Sequence, residues 1–167
     1  VEAVREGIGE VLLVGPTEQV EPVLLSYDTK ALPIHLVPSG AAILEGESPA
    51  VELRRNPQAS IAIAMSLVKA NRADAVLSLG STGATVVAAT MILGTLGGIE
   101  RPIIAGHFDG LPHQSVGVDM GANVDCKPSQ FLDFAAIGSV FSRVIRGVLD
   151  PSIAILSVGS EEGKGNR

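Results

Sequence analysis

Three stretches of the chain set glycines beside small polar or charged side chains: GSTG at 80–83, GANVDCKP at 121–128 and GSEEGKGN at 159–166. Each follows an apolar run that reads as a strand, and the first two lead into helices. Glycine lets backbone N–H groups approach a ligand closely, and a helix start adds partial positive charge, so such loops suit an anion. The first offers Gly80, Ser81, Thr82 and Gly83. The second offers Gly121, Asn123, Asp125 and Lys127, more functional side chains than a turn requires. In the third, Lys164 stands between Gly163 and Gly165 and is followed by Asn166, where it has little packing purpose and freedom to swing. The competing reading is structural: Ser81 or Thr82 would simply cap a helix. The first loop is not a Walker A loop, because G-x-x-x-x-G-K-[ST] is absent.

Other reactive residues carry less. Cys126 is a candidate nucleophile with no histidine near it in sequence, and a small buried thiol explains it as well. His107 and His113 bracket Asp109, but their spacing in a loop is not that of metal ligands. His35 falls within an expected strand and reads as structural. Arg54, Arg55, Lys69 and Arg72 form either a local basic patch or an ordinary solvated face.

The elements that must position these loops follow from composition and periodicity. Of 167 residues, 46% are hydrophobic, yet there is no Trp and there are four Phe, so Val, Ile, Leu and Ala must build the core. Strands are expected over 10–14, 34–37, 75–79, 103–106, 116–120 and 153–158. Helices are expected over 17–25, from 49, over 59–71 with Ile61, Met65 and Val68 on one face, from 84 to 96, and over 129–146 with Gly147 as stop. Repeated βα units with apolar strands predict an α/β fold, a mostly parallel sheet with helices on both faces, in a single domain over 1–167. In such a sheet, loops after strands gather at the carboxyl edge, where ligands bind. A formal charge of −6 argues against nucleic-acid binding. One cysteine excludes an internal disulfide, no apolar run reaches transmembrane length, and the opening VEAVREGIGEVLLVG lacks a signal-peptide layout, so a cytoplasmic location is expected. Neither a dinucleotide fingerprint nor a metal cluster is evident, and no cofactor or metal is expected.

VLLVGP, the block GESPAVELRRNPQASIAIAMSLVKANRADAVLSLGSTGA, ERPIIAG and the run from VDMGANVDCKP through EEGKGN together resemble the PlsX family of bacterial phosphate acyltransferases. The resemblance covers the whole chain, and GANVDCKP and EEGKGN are its specific motifs. It implies the three-layer α/β/α architecture shared with isocitrate and isopropylmalate dehydrogenases, present here incompletely. Family members are about twice as long, so the chain looks like their central part, shortened at both ends. Ser81 stands where the family has Asn, 56–58 reads NPQ where the family is more basic, and Cys126 is tolerated as Ala elsewhere in the family.

The implied reaction moves a fatty acyl group from acyl carrier protein to inorganic phosphate, giving acyl-phosphate for phospholipid synthesis. Lys164 and Asn123 are then the expected catalytic residues, stabilising phosphate or the oxyanion. Gly80, Ser81, Thr82, Gly83, Gly121, Asp125, Lys127, Gly163, Gly165 and Asn166 are the expected substrate-binding set. The resemblance also implies a homodimer and association with the membrane periphery. A phosphate acetyltransferase using acetyl-CoA and a non-catalytic phosphate-binding module are the alternatives.

Overall fold

The structure, a computed structural model, describes residues 1–107, 115–120 and 126–156. The chain divides into two compact units, Val1–Leu96 and Gly97–Arg167.

The first unit runs α1 (Glu2–Arg5), β1 (Val11–Gly15), α2 (Thr17–Leu25), β2 (Ile34–Pro38), α3 (Pro49–Arg55), α4 (Ser60–Lys69) and α5 (Thr82–Ala88), which passes into a π-helical turn, Ala89–Leu93. β1 and β2 pair in parallel, from Val11 opposite Ile34 to Gly15 opposite Pro38. The crossover through α2 makes this a βαβ unit, as the alternation of strand and helix patterns predicts. Pro49 occupies the first turn of α3, where its missing N–H costs nothing. The core lies among α3, α4 and α5. Leu53, Ile61, Met65 and Ile43 pack there with Ala59, Ala62, Ala84 and Ala88, all buried. The four alanines let the helices approach closely, which is how a chain poor in aromatics fills a core. Ile61 and Met65 are buried as their spacing requires, while Val68 is only half-buried and Leu67 is buried instead.

Two expectations about this unit change. The long helix through 96 is shorter: beyond Ala88 the Gly94 N–H reaches the Ala89 carbonyl at 3.1 Å, an i→i+5 bond, and the turn ends at Gly94. The strand expected over 75–79 is not one. A strand needs a hydrogen-bonded neighbour, and none pairs with these residues among the described ones. The period-2 alternation survives: Val76 packs on the core, whereas Leu77 and Leu79 are 88% and 96% exposed.

The second unit holds β3 (Ala105–His107), β4 (Val116–Val118) and α6 (Pro128–Arg146). β3 and β4 pair antiparallel, Ala105 with Val118 and His107 with Val116, against the expectation of a mostly parallel sheet. The physical reason is length: the connection spans only 108–115, shorter than the dozen or so residues a parallel crossover needs. α6 packs on β4 so closely that a Cβ on Gly138 would lie 2.8 Å from Val118 Cγ2. Gly147 ends α6 in the left-handed region, φ +70°, where its N–H meets the Arg143 carbonyl and that of Val148 meets Ser142. The strand expected over 153–158 is not formed at 153–156, where Ile153, Ile155 and Leu156 are exposed. Among the described residues, no helix is long and apolar enough to cross a membrane.

Candidate functional site

In the first unit, Gly80, Ser81, Thr82 and Gly83 form one turn leading into α5. Ser81 is the N-cap: its Oγ accepts the Ala84 N–H at 3.3 Å, and its carbonyl accepts the Thr85 N–H at 3.0 Å. The structural part of the sequence reading therefore holds for Ser81. Capping leaves the Thr82 and Gly83 N–H groups without a partner among the described residues, and both residues are exposed. They form an open pair of donors on adjacent peptides.

The two glycines of this turn are not demanded by the fold. Neither has a left-handed φ. A Cβ on Gly80 would meet nothing nearer than Ser78 Oγ at 3.6 Å, and one on Gly83 nothing nearer than Pro49 Cγ at 3.6 Å, both ordinary contacts. A helix-position glycine is less stable than alanine, so Gly83 carries a cost that packing does not explain. What glycine does provide is room for a ligand to reach the backbone.

Two residues that the sequence reading passed over hold this turn. Ser78 Oγ accepts the Gly80 N–H at 3.3 Å, and Thr85 Oγ1 lies 3.1 Å from Ser78 Oγ and 3.0 Å from the Ser81 carbonyl oxygen. The signal was available in the alternation of 76 and 78 against 77 and 79, which puts Ser78 on the inward face beside Val76.

In the second unit, Lys127 is exposed and forms the N-cap of α6. Its ammonium group has only donors, so it cannot cap the helix itself. Gln130, 2% exposed, reaches back instead: its Oε1 accepts the Lys127 N–H at 2.8 Å, while its own N–H donates to the Lys127 carbonyl at 2.9 Å. This is the glutamine half of a capping box. It fixes the backbone of Lys127 and leaves the ammonium without an ion pair among the described residues. Nearby, Asp119 adopts φ +59°, and its carboxylate accepts the Cys126 thiol at 3.7 Å. Cys126 is half-buried with that contact, which suits the structural reading.

Gly121, Asn123, Asp125, Gly163, Lys164, Gly165 and Asn166 lie outside the described residues, as do Asp109 and His113. His35 is exposed, 3.4 Å from Glu10. Of the basic residues, Arg55 pairs with Glu52 at 3.3 Å, and Arg54 stands exposed beside it at the end of α3. Lys69 is the last residue of α4 and Arg72 follows that helix, both exposed. Among the described residues, no three His, Cys, Asp or Glu side chains cluster as metal ligands would.

The profile of the family described as fatty acid synthesis protein matches residues 2–167. Curated relatives named phosphate acyltransferase align along almost all of the chain. That of Syntrophomonas wolfei is 42% identical over 158 residues, 94% of this chain and 49% of the relative. That of Thermus thermophilus is 43% identical over 164 residues, 98% of this chain and 48% of the relative. That of Clostridium kluyveri is 37% identical over 166 residues, 99% of this chain and 50% of the relative. The chain thus spans about half the length of the curated relatives it matches. With the match running from the first helix through the last of its glycine-rich motifs, the chain belongs to the fatty acid synthesis protein family.

Proposed function

We propose that this chain forms part of an acyltransferase that moves a fatty acyl group from acyl carrier protein to inorganic phosphate. The observation that carries the reading is the 80–83 turn: adjacent exposed N–H groups without partners among the described residues, beside glycines for which packing gives no reason. The relatives' name, phosphate acyltransferase, supplies the reaction class. A phosphate oxygen attacks the thioester carbonyl carbon, a tetrahedral oxyanion forms, the carbon–sulfur bond breaks, and the carrier's thiolate leaves and takes up a proton. The product is a mixed anhydride. Phosphate is the nucleophile, so the protein must orient two reactants and balance negative charge rather than supply a nucleophile of its own. A thiol of pKa about 8.5 leaves without a strong general acid. Lys127, exposed and without an ion pair among the described residues, suits phosphate; Lys164 and Asn123 suit the oxyanion. Arg54, at the free end of α3, suits an acidic carrier. The same reading brings the three-layer α/β/α arrangement, a homodimer, and a cytoplasmic protein working at the membrane periphery.

The test uses the complete gene product with long-chain acyl–carrier protein, following thiol release with and without phosphate and trapping acyl-phosphate with hydroxylamine. Phosphate-dependent release is expected. Turnover with acetyl-CoA alone would move the reaction to an acetyltransferase, and phosphate binding without turnover would leave a binding module. Lys164→Ala is expected to lower kcat by about 10²–10³, the usual loss of one oxyanion donor; near-normal turnover would remove Lys164 from the assignment. Gly83→Ala is the sharper probe of the turn. It has space and should fold at least as well as the parent, yet it should raise the KM for phosphate, and an unchanged KM would take the turn out of the phosphate site.

A further inference from the structure

The hydroxyl groups behind the 80–83 turn form a chain whose direction is fixed by chemistry. The Ser81 carbonyl only accepts, so the single Thr85 hydroxyl proton, 3.0 Å away, goes to it. Thr85 Oγ1 is then left to accept, and its neighbour at 3.1 Å, Ser78, supplies the proton. Ser78 Oγ still accepts the Gly80 N–H at 3.3 Å. The order is Gly80 N–H to Ser78, Ser78 to Thr85, Thr85 to the Ser81 carbonyl. Every hydroxyl proton in this chain is used, and both ends of the Gly80–Ser81 dipeptide are held.

This arrangement has a consequence for the groups left over. The Ser81 carbonyl, which shares its peptide with the open Thr82 N–H, is occupied twice, by Thr85 Oγ1 and by the Thr85 N–H. A carbonyl oxygen held in this way is kept from turning toward a bound anion, which it would repel. Ser78 is itself anchored: its neighbour Val76 packs on the core, and Thr85 lies on α5 between the buried Ala84 and Ala88.

We propose that Ser78 and Thr85 are positioning residues that hold the 80–83 turn in its anion-accepting form. The inference rests on the reading of that turn as part of the phosphate site. Neither residue touches the substrate; both act through Gly80 and Ser81.

The test is Thr85→Val in the complete gene product, which keeps the shape of the side chain and removes both of its hydrogen bonds. Turnover is measured against phosphate and, separately, against the acyl donor, with the thermal midpoint alongside. The KM for phosphate is expected to rise about two- to tenfold, the worth of one ordinary hydrogen bond. The KM for the acyl donor and the thermal midpoint should hold, Ser78→Ala should behave like Thr85→Val, and Thr85→Ser should restore the parent value. A thermal midpoint that falls while both KM values shift together would assign the pair to folding alone and overturn the proposal. If Gly83→Ala raises the KM for phosphate and neither Thr85→Val nor Ser78→Ala does, the positioning role fails and the phosphate reading of the turn stands. If none of the three moves it, the turn is not part of the phosphate site and both ideas fall.

Discussion

The Gln130 cap at the start of α6 gives a prediction whose size follows from its geometry. Gln130→Leu removes the only side-chain acceptor within reach of the Lys127 N–H among the described residues, a bond of 2.8 Å to a residue 2% exposed. Leaving a part-buried amide without its partner costs about 1–2 kcal/mol. The substitution has an opposite global effect, because burying leucine in place of an amide gains apolar transfer energy of similar order. The overall midpoint should therefore move little, and the loss should appear locally. Expressed as hydrogen exchange, the same energy corresponds to about a five- to thirtyfold faster exchange of the Lys127 amide. Exchange of the 126–130 peptide, followed by mass spectrometry, measures it. Gln130→Glu keeps an acceptor at the positive end of the helix and should exchange close to the parent rate. An unchanged Lys127 rate in Gln130→Leu would refute the reasoning, since the bond would then carry no protection in solution.

Two further outcomes concern the glycines of the second unit. Gly138→Ala places a methyl 2.8 Å from Val118 Cγ2, a stiff branched side chain on a strand, so α6 must lift from β4. A loss of about 1–3 kcal/mol is expected, read as a lower urea midpoint, and an unchanged midpoint would mean that the helix and strand are not so close. Gly147→Ala meets no atom within 4 Å, so its cost is purely that of φ +70° in an alanine, about 1–2 kcal/mol, and Gly147→Asn should recover part of it.

Local features were legible in the sequence wherever the chain decides them by itself. Pro49 at the first turn of α3, Gly147 at the end of α6 and the spacing of Ile61 and Met65 each act within a few residues, and each is found where its pattern placed it. The strands were legible only where a partner also exists. The run AVLSL at 75–79 is largely apolar like VLLVG at 11–15, but only the latter pairs among the described residues, since pairing is a property of two segments. Antiparallel pairing of β3 and β4 was readable in principle from the short 108–115 connection, but the repeated βα rhythm elsewhere favoured a parallel sheet. At the 80–83 turn, residue type drew attention to Ser81 and Thr82 but not to Ser78 and Thr85, whose hydrogen bonds depend on which groups the fold brings to their hydroxyls.

The chemistry of the turn and the packing of the core are linked through one short element. Ala84 and Ala88 bury the same helix whose Thr85 holds the Ser81 carbonyl. Anything that shifts α5 along its axis moves the capped carbonyl and the open donors together, so the turn inherits the rigidity of an alanine-lined core. Small side chains make that rigidity possible, because closely packed helices have few alternative rotamers to visit. If the turn holds phosphate as proposed, placing the donors on backbone rather than on long flexible side chains leaves little to reorganise when the anion arrives. On the proposed reading the alanine-rich core and the glycine-rich turn serve one end: the core holds the donors still, and the glycines keep the approach to them open.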